Sequence, residues 1–180
     1  EYNARYEQAG TLGQLGILAE DRQQWQEAQG YALEAAELFV EFNDQHNLAI
    51  ALGQLGRVAQ EQRKYEEAEG YYKDALAIKI EYNARYEQAG TLGQLGILAE
   101  DRQQWQEAQG YALEAAELFV EFNDRYSLEI ALGLLGRIWR ATKDRGIIDK
   151  VAALLNSSAA ECEAMFDEKA EASESGGGEE

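Results

Sequence analysis

The chain has 180 residues, 46% hydrophobic and 28% charged, with no proline, one cysteine and one histidine. This suits one ordinary domain and is too apolar for a chain disordered throughout. A net charge of −18 argues against nucleic acid and anionic membranes as partners, because both are held by clustered Lys and Arg.

No apolar run reaches the roughly 18 residues needed to span a bilayer, and no basic-then-apolar signal segment opens the chain. A lone Cys162 cannot close an intramolecular disulfide, so a reducing, cytoplasmic setting is expected. The chain opens on Glu1, which fits a piece of a longer protein.

Glu1 to Asp44 recurs letter for letter as Glu81 to Asp124, a period of 80 residues with a weaker period of 40 inside it. In the first unit, Ala9, Leu12, Gly13, Leu15, Gly16 and Ala19 fall at the three-and-four spacing of one helical stripe. A second stripe runs through Trp25, Ala28, Tyr31, Ala32, Ala35, Leu38 and Phe39. Each unit is therefore expected to be two helices, joined at Arg22 to Gln24. Asp44 and Asp124 are placed to cap the first helix of the next unit.

The second unit repeats the pattern from Ala51 and the third from Thr91. The fourth begins as Ile130 to Asp144 and then diverges. Ser158 and Glu161 form a capping box ahead of Met165 and Phe166. No stretch alternates with period two, so the fold class is all-α. Expected boundaries are a repeat array over 1–157, in units 1–40, 41–80, 81–120 and 121–157, then a capping helix over 158–171. An acidic tail over 172–180 is expected to be disordered.

Thirteen of the 17 glycines fall inside these helices, at roughly 1 kcal/mol each relative to alanine. The expected compensation is close approach of helix backbones where a Cβ is missing. Gly146 is expected in a turn.

The recurring Leu12, Leu15, Gly16 and Ala19, followed by Trp25, Ala28, Ala32 and Ala35, resemble the tetratricopeptide repeat. The second unit matches more fully, through Leu52, Leu55, Gly56, Ala59, Tyr65, Ala68, Tyr72 and Ala75. The resemblance covers residues 1 to about 142 and implies an α-solenoid wound as a right-handed superhelix. Its period departs from the family's usual 34, and Asn or Asp stands where the family often has proline. The exact duplication fits either a recent natural event or deliberate construction.

A catalytic inventory is missing. His46 is the only imidazole and aligns with Tyr6, Tyr86 and Tyr126, so it reads as an aromatic slot. Cys162 reads as a small packing residue. No phosphate loop or zinc spacing occurs, and the LGQLG element lies inside a helix. The chain is therefore expected to be no enzyme and to need no cofactor or metal.

Binding to a protein or peptide is the expected function. The resemblance implies a concave groove lined by the first helix of each unit, here at Ile17, Arg57, Ile97, Arg137 and Arg140, flanked by Gln14, Gln54 and Gln94. The three arginines could receive an acidic segment, or could pair with neighbouring carboxylates. The fourth unit alone is net basic. The alternative is self-association into a homo-oligomer, because the first unit starts without a polar cap.

Overall fold

A computed structural model describes residues 2–175. Among them are nine helices and no strand: α1 Tyr2–Asp21, α2 Trp25–Glu41, α3 Gln45–Glu61, α4 Tyr65–Glu81, α5 Arg85–Asp101, α6 Trp105–Glu121, α7 Arg125–Thr142, α8 Arg145–Leu155 and α9 Ala159–Ser175. Each expected two-helix unit is present, and the joint expected at Arg22 to Gln24 lies between α1 and α2. α9 continues to Ser175, into the stretch expected to lack structure. Residues 176–180, the rest of that tail, lie outside the described residues.

The joints recur every twenty residues. Gln23, Asn43, Arg63, Asn83, Gln103, Asn123 and Lys143 all have a positive φ between 53° and 59°. One left-handed residue ends each helix and turns the chain into the next. The following residue caps where it can: Asp44 accepts from the Asn47 backbone N–H at 3.0 Å, and Asp124 accepts from that of Ser127 at 3.0 Å.

The chain divides into two compact units, Glu1–Thr91 and Leu92–Glu180. In the first, α1 packs on α2, α2 on α3 and α3 on α4. Its core is rich in alanine: Ala9, Ala35, Ala36 and Ala51 surround Leu12 and Phe39, while Ala19 and Ala28 meet Val58. In the second, α6 packs on α7, α8 on α9 and α7 on α9, with Leu135, Ile138, Ile147, Ile148, Val151, Cys162 and Phe166 fully buried.

All thirteen glycines lie within helices, but most do not serve close packing. A Cβ at Gly10, Gly13, Gly30, Gly53, Gly70, Gly90, Gly93, Gly110 or Gly133 would meet nothing within 4 Å. The seams between helices are carried instead by alanines such as Ala32, Ala35, Ala49 and Ala68, which are wholly buried. A methyl group fits those seams, so the open glycines sit off them.

Of the thirteen, Gly56, Gly96 and Gly136 are crowded, while Gly16 has ordinary contacts at 3.6 and 3.7 Å. A Cβ on Gly56 would come within 2.5 Å of the Tyr72 ring, and one on Gly136 within 3.1 Å of the Phe166 ring. Gly146 is in the first turn of α8, not in a turn between elements, and its N–H bonds Asp144 at 2.8 Å.

The end of the chain closes on named contacts. Ser158 and Glu161 form the expected capping box: the Ser158 backbone N–H donates to Glu161 at 2.7 Å, and the Glu161 N–H to Ser158 Oγ at 3.3 Å. The Ser158 backbone and side-chain hydrogen bonds hold the Glu161 carboxyl below its ordinary pKa. Phe166 of α9 packs at 5.9 Å from the Trp139 ring of α7. Cys162 is buried, with its sulfur 3.2 Å from Ser157 Oγ.

Candidate interaction surfaces

The first unit contains four of the expected groove residues, on α1 and α3. Gln14 and Ile17 are exposed on α1. Arg57 of α3 reaches back to Glu20 of α1 with two bonds, Nε to Oε2 at 3.0 Å and Nη2 to Oε1 at 3.3 Å. Gln54 does not line a surface. It is 3% exposed, donates to the Gly13 carbonyl at 3.3 Å, and leaves its own Oε1 buried without a partner. The spacing that put Gln54 beside Arg57 on one face did not register that α1 covers the inner edge of that face.

The second unit contains the other four. Gln94 and Ile97 are half-buried on α5. Arg137 of α7 holds Glu100 of α5 through two bonds at 2.8 and 2.7 Å. Those bonds raise the Arg137 guanidinium above its ordinary pKa against the cost of burial. Arg140 donates to the Phe166 backbone carbonyl at 2.8 Å. Of the two roles open to the arginines, pairing with carboxylates is thus met at Arg57 and Arg137, while Arg140 anchors the closing helix. Each Arg–Glu fork ties the first helix of one repeat to that of the next, a planar bidentate match that lysine cannot make.

A different surface stands out on α1. Leu15 and Leu18 are 37% and 44% exposed, whereas Leu95 and Leu98, at the same places in the duplicated sequence, are each 2% exposed. Ile17 and Tyr6 add to the exposed apolar side chains of α1.

The sequence pattern did not single out a partly open cavity of about 220 Å³ where the second repeat meets the third, lined by His46, Ala49, Ile78, Lys79, Tyr82, Ala84 and Glu87. Lys79 is the signal that could have found it, because Phe39 and Phe119 stand at that position in neighbouring repeats. The Lys79 ammonium donates to Thr91 Oγ1 at 2.8 Å. Burial pushes its pKa below the ordinary value; Glu87 opposes this and Arg57 adds to it. Among the described residues no group of three or more His, Cys, Asp and Glu is arranged to hold a metal, and no helix is long and apolar enough to cross a membrane.

Residues 7–81, which hold α1 through α4 almost entire, match the tetratricopeptide repeat family. That stretch is of the tetratricopeptide repeat type. Two solved structures share its fold. Apo RapI superposes with a TM-score of 0.74 at 17% identity, covering 83% of this chain and 56% of its own. BtubC from P. vanneervenii superposes with a TM-score of 0.71 at 20% identity, covering 88% of this chain and 64% of its own. The chain thus spans well under two thirds of the length of the first and just under two thirds of the second. No curated protein matches it in sequence. Tetratricopeptide repeats generally mediate protein–protein interaction and are generally non-catalytic.

Proposed function

We propose that this repeat array is a non-enzymatic interaction scaffold, and that in the chain of residues 1–180 the exposed side chains of α1 dock on a second copy of the chain. The observation that carries this reading is the contrast between Leu15 and Leu18, 37% and 44% exposed, and the identical Leu95 and Leu98, each 2% exposed. The same letters pack fully in one setting and face water in the other. An isologous contact between two α1 helices would cover both copies at once, because a twofold interface uses one patch twice. Leucines returned to an apolar setting each contribute on the order of 1 kcal/mol.

Sedimentation or light scattering across a concentration series tests this. Self-association that is lost in the doubly substituted Leu15→Glu, Leu18→Glu chain, with helicity kept, supports it. A wild-type monomer at the highest concentration overturns it.

A second reading places a peptide on the first helices of each unit taken by itself, at Gln14, Ile17 and Arg57 in one and at Gln94, Ile97, Arg137 and Arg140 in the other. In its favour, the Arg57 and Arg137 side chains stay 43% and 49% exposed while paired. A strongly acidic peptide would have to displace Glu20 and Glu100, so a partner of mixed polarity is favoured. Binding in a pulldown that is lost on Arg57→Ala and Arg137→Ala, but unaffected by the α1 substitutions, would select this reading over the first.

A further inference from the structure

We propose that the partly open cavity where the second repeat meets the third is a binding site for a small phenol. The argument starts from the same place in the first repeat. There Tyr6 packs edge-on against Phe39 and Phe42, with ring centroids 6.4 and 5.5 Å away. Its hydroxyl donates to Asp44 at 2.6 Å and accepts from the Asn47 side chain at 3.4 Å. A phenol is therefore held by apolar rings at its edge and by an acceptor and a donor at its oxygen.

Forty residues on, each of the groups that make this arrangement is changed. His46 replaces Tyr6, Lys79 replaces Phe39, Tyr82 replaces Phe42, Ala84 replaces Asp44 and Glu87 replaces Asn47. The phenol and one buried phenyl ring are gone, and a cavity of about 220 Å³ lined by these five replacements with Ala49 and Ile78 stands in their place. Cavities of about 150 Å³ with apolar walls accept a benzene ring, so one more ring with a hydroxyl fits.

The polar groups suit that hydroxyl. Lys79 has three ammonium protons and one hydrogen-bonded side-chain partner, Thr91 Oγ1 at 2.8 Å, which is itself buried. A phenol oxygen accepts one of the others. The phenol proton has an acceptor in the Glu87 carboxylate, whose Oε1 lies 3.6 Å from His46 Nδ1. An anionic ligand would meet Glu87 at close range, and a plain hydrocarbon would offer nothing to the Lys79 protons that Thr91 does not take, so a neutral phenol complements both. Depression of the Lys79 pKa by burial accords with an ammonium short of partners.

The probe is p-cresol, with toluene as the same ring lacking the hydroxyl, titrated into ¹⁵N-labelled full-length chain. The reporting amides of Ala49 and Ile78 lie outside the duplicated segment, so their signals have no twin. Shifts confined to the cavity, with p-cresol binding about tenfold tighter than toluene, are expected. Lys79→Phe restores the ring that Phe39 and Phe119 supply and should abolish the shifts while circular dichroism is unchanged. Lys79→Met keeps room for the ring and should bring p-cresol down to the level of toluene. Equal binding of the two probes to the wild type, shifts that survive Lys79→Phe, or no shifts at all would each overturn the site.

Discussion

The first and third repeats have the same sequence, letter for letter from Glu1 to Asp44 and from Glu81 to Asp124, yet they are finished by different neighbours. In both, a glutamate near the end of the first helix takes an arginine fork, Glu20 from Arg57 and Glu100 from Arg137. Around that common strut the packing diverges. The residue facing Gly16 is Gln54, while the residue facing Gly96 is Leu134. The small space at Gly56 is closed by Tyr72 from the same repeat, whereas that at Gly136 is closed by Phe166 from the extra helix α9. Identical local sequence thus fixes the helices, the joints and the glutamate of the strut, while the neighbouring repeat supplies the arginine and decides whether the interface ends in an aromatic ring, an aliphatic side chain or a buried amide.

Five substitutions would break or sharpen that contrast. The largest effect is expected from Phe166→Ala, about 3 kcal/mol, because the ring is wholly buried against Trp139 and Gly136. Chemical denaturation should show the loss, and hydrogen exchange should show α9 opening first. Gly56→Ala should cost about 2 kcal/mol by forcing the buried Tyr72 ring aside. Its neighbour Gly53→Ala meets open space and should instead raise stability by up to about 1 kcal/mol. If both changes stabilise, the crowding at Gly56 is wrong.

Gln54→Leu makes the second repeat resemble the fourth. It removes the buried Oε1 that lacks a partner and should raise the melting temperature, with a gain of about 1 kcal/mol. A loss would mean that the bond to the Gly13 carbonyl outweighs the orphaned oxygen.

The smallest effect is the pH response of Asp44. Burial works against its ionisation, but bonds from the Asn47 N–H, the Tyr6 hydroxyl and the Asn47 side chain, with the field of His46, hold its pKa below 3.8. The folded value lies below the unfolded one, so its contribution is full above that range and is lost as pH falls through the folded value. Asp44→Ala should cost about 1 kcal/mol near neutrality, and unfolding curves of the two proteins should converge in acid.

Much of the fold was legible because its signals are local. Apolar spacing gave the helix pairs, Asp44 and Asp124 gave caps, and Ser158 with Glu161 gave the capping box. The site was less legible, for a physical reason that differs residue by residue. Gln54 shares the spacing of Arg57 but lies on the side that α1 covers. The exposed glycines have the phase of a packing motif, yet alanine methyls already fill the seam. The partner of Arg140, the Phe166 carbonyl, is a backbone atom on a helix outside the repeat pattern. The Lys79 cavity was visible only as one departure from Phe39 and Phe119, and its meaning depends on the aromatic cluster that the first repeat builds at the same place.

The seven joints place Gln, Asn, Arg or Lys in the left-handed region, while the glycines that would occupy it without strain are spent inside helices. The chain therefore carries an unused reserve of stability. Moving glycine to Gln23, Arg63 and Gln103, and alanine to the open helical positions, would harden the array, while Lys143 is kept for its contact with the Trp139 ring. Stability can thus be raised at the joints, separately from the side chains that form the surfaces.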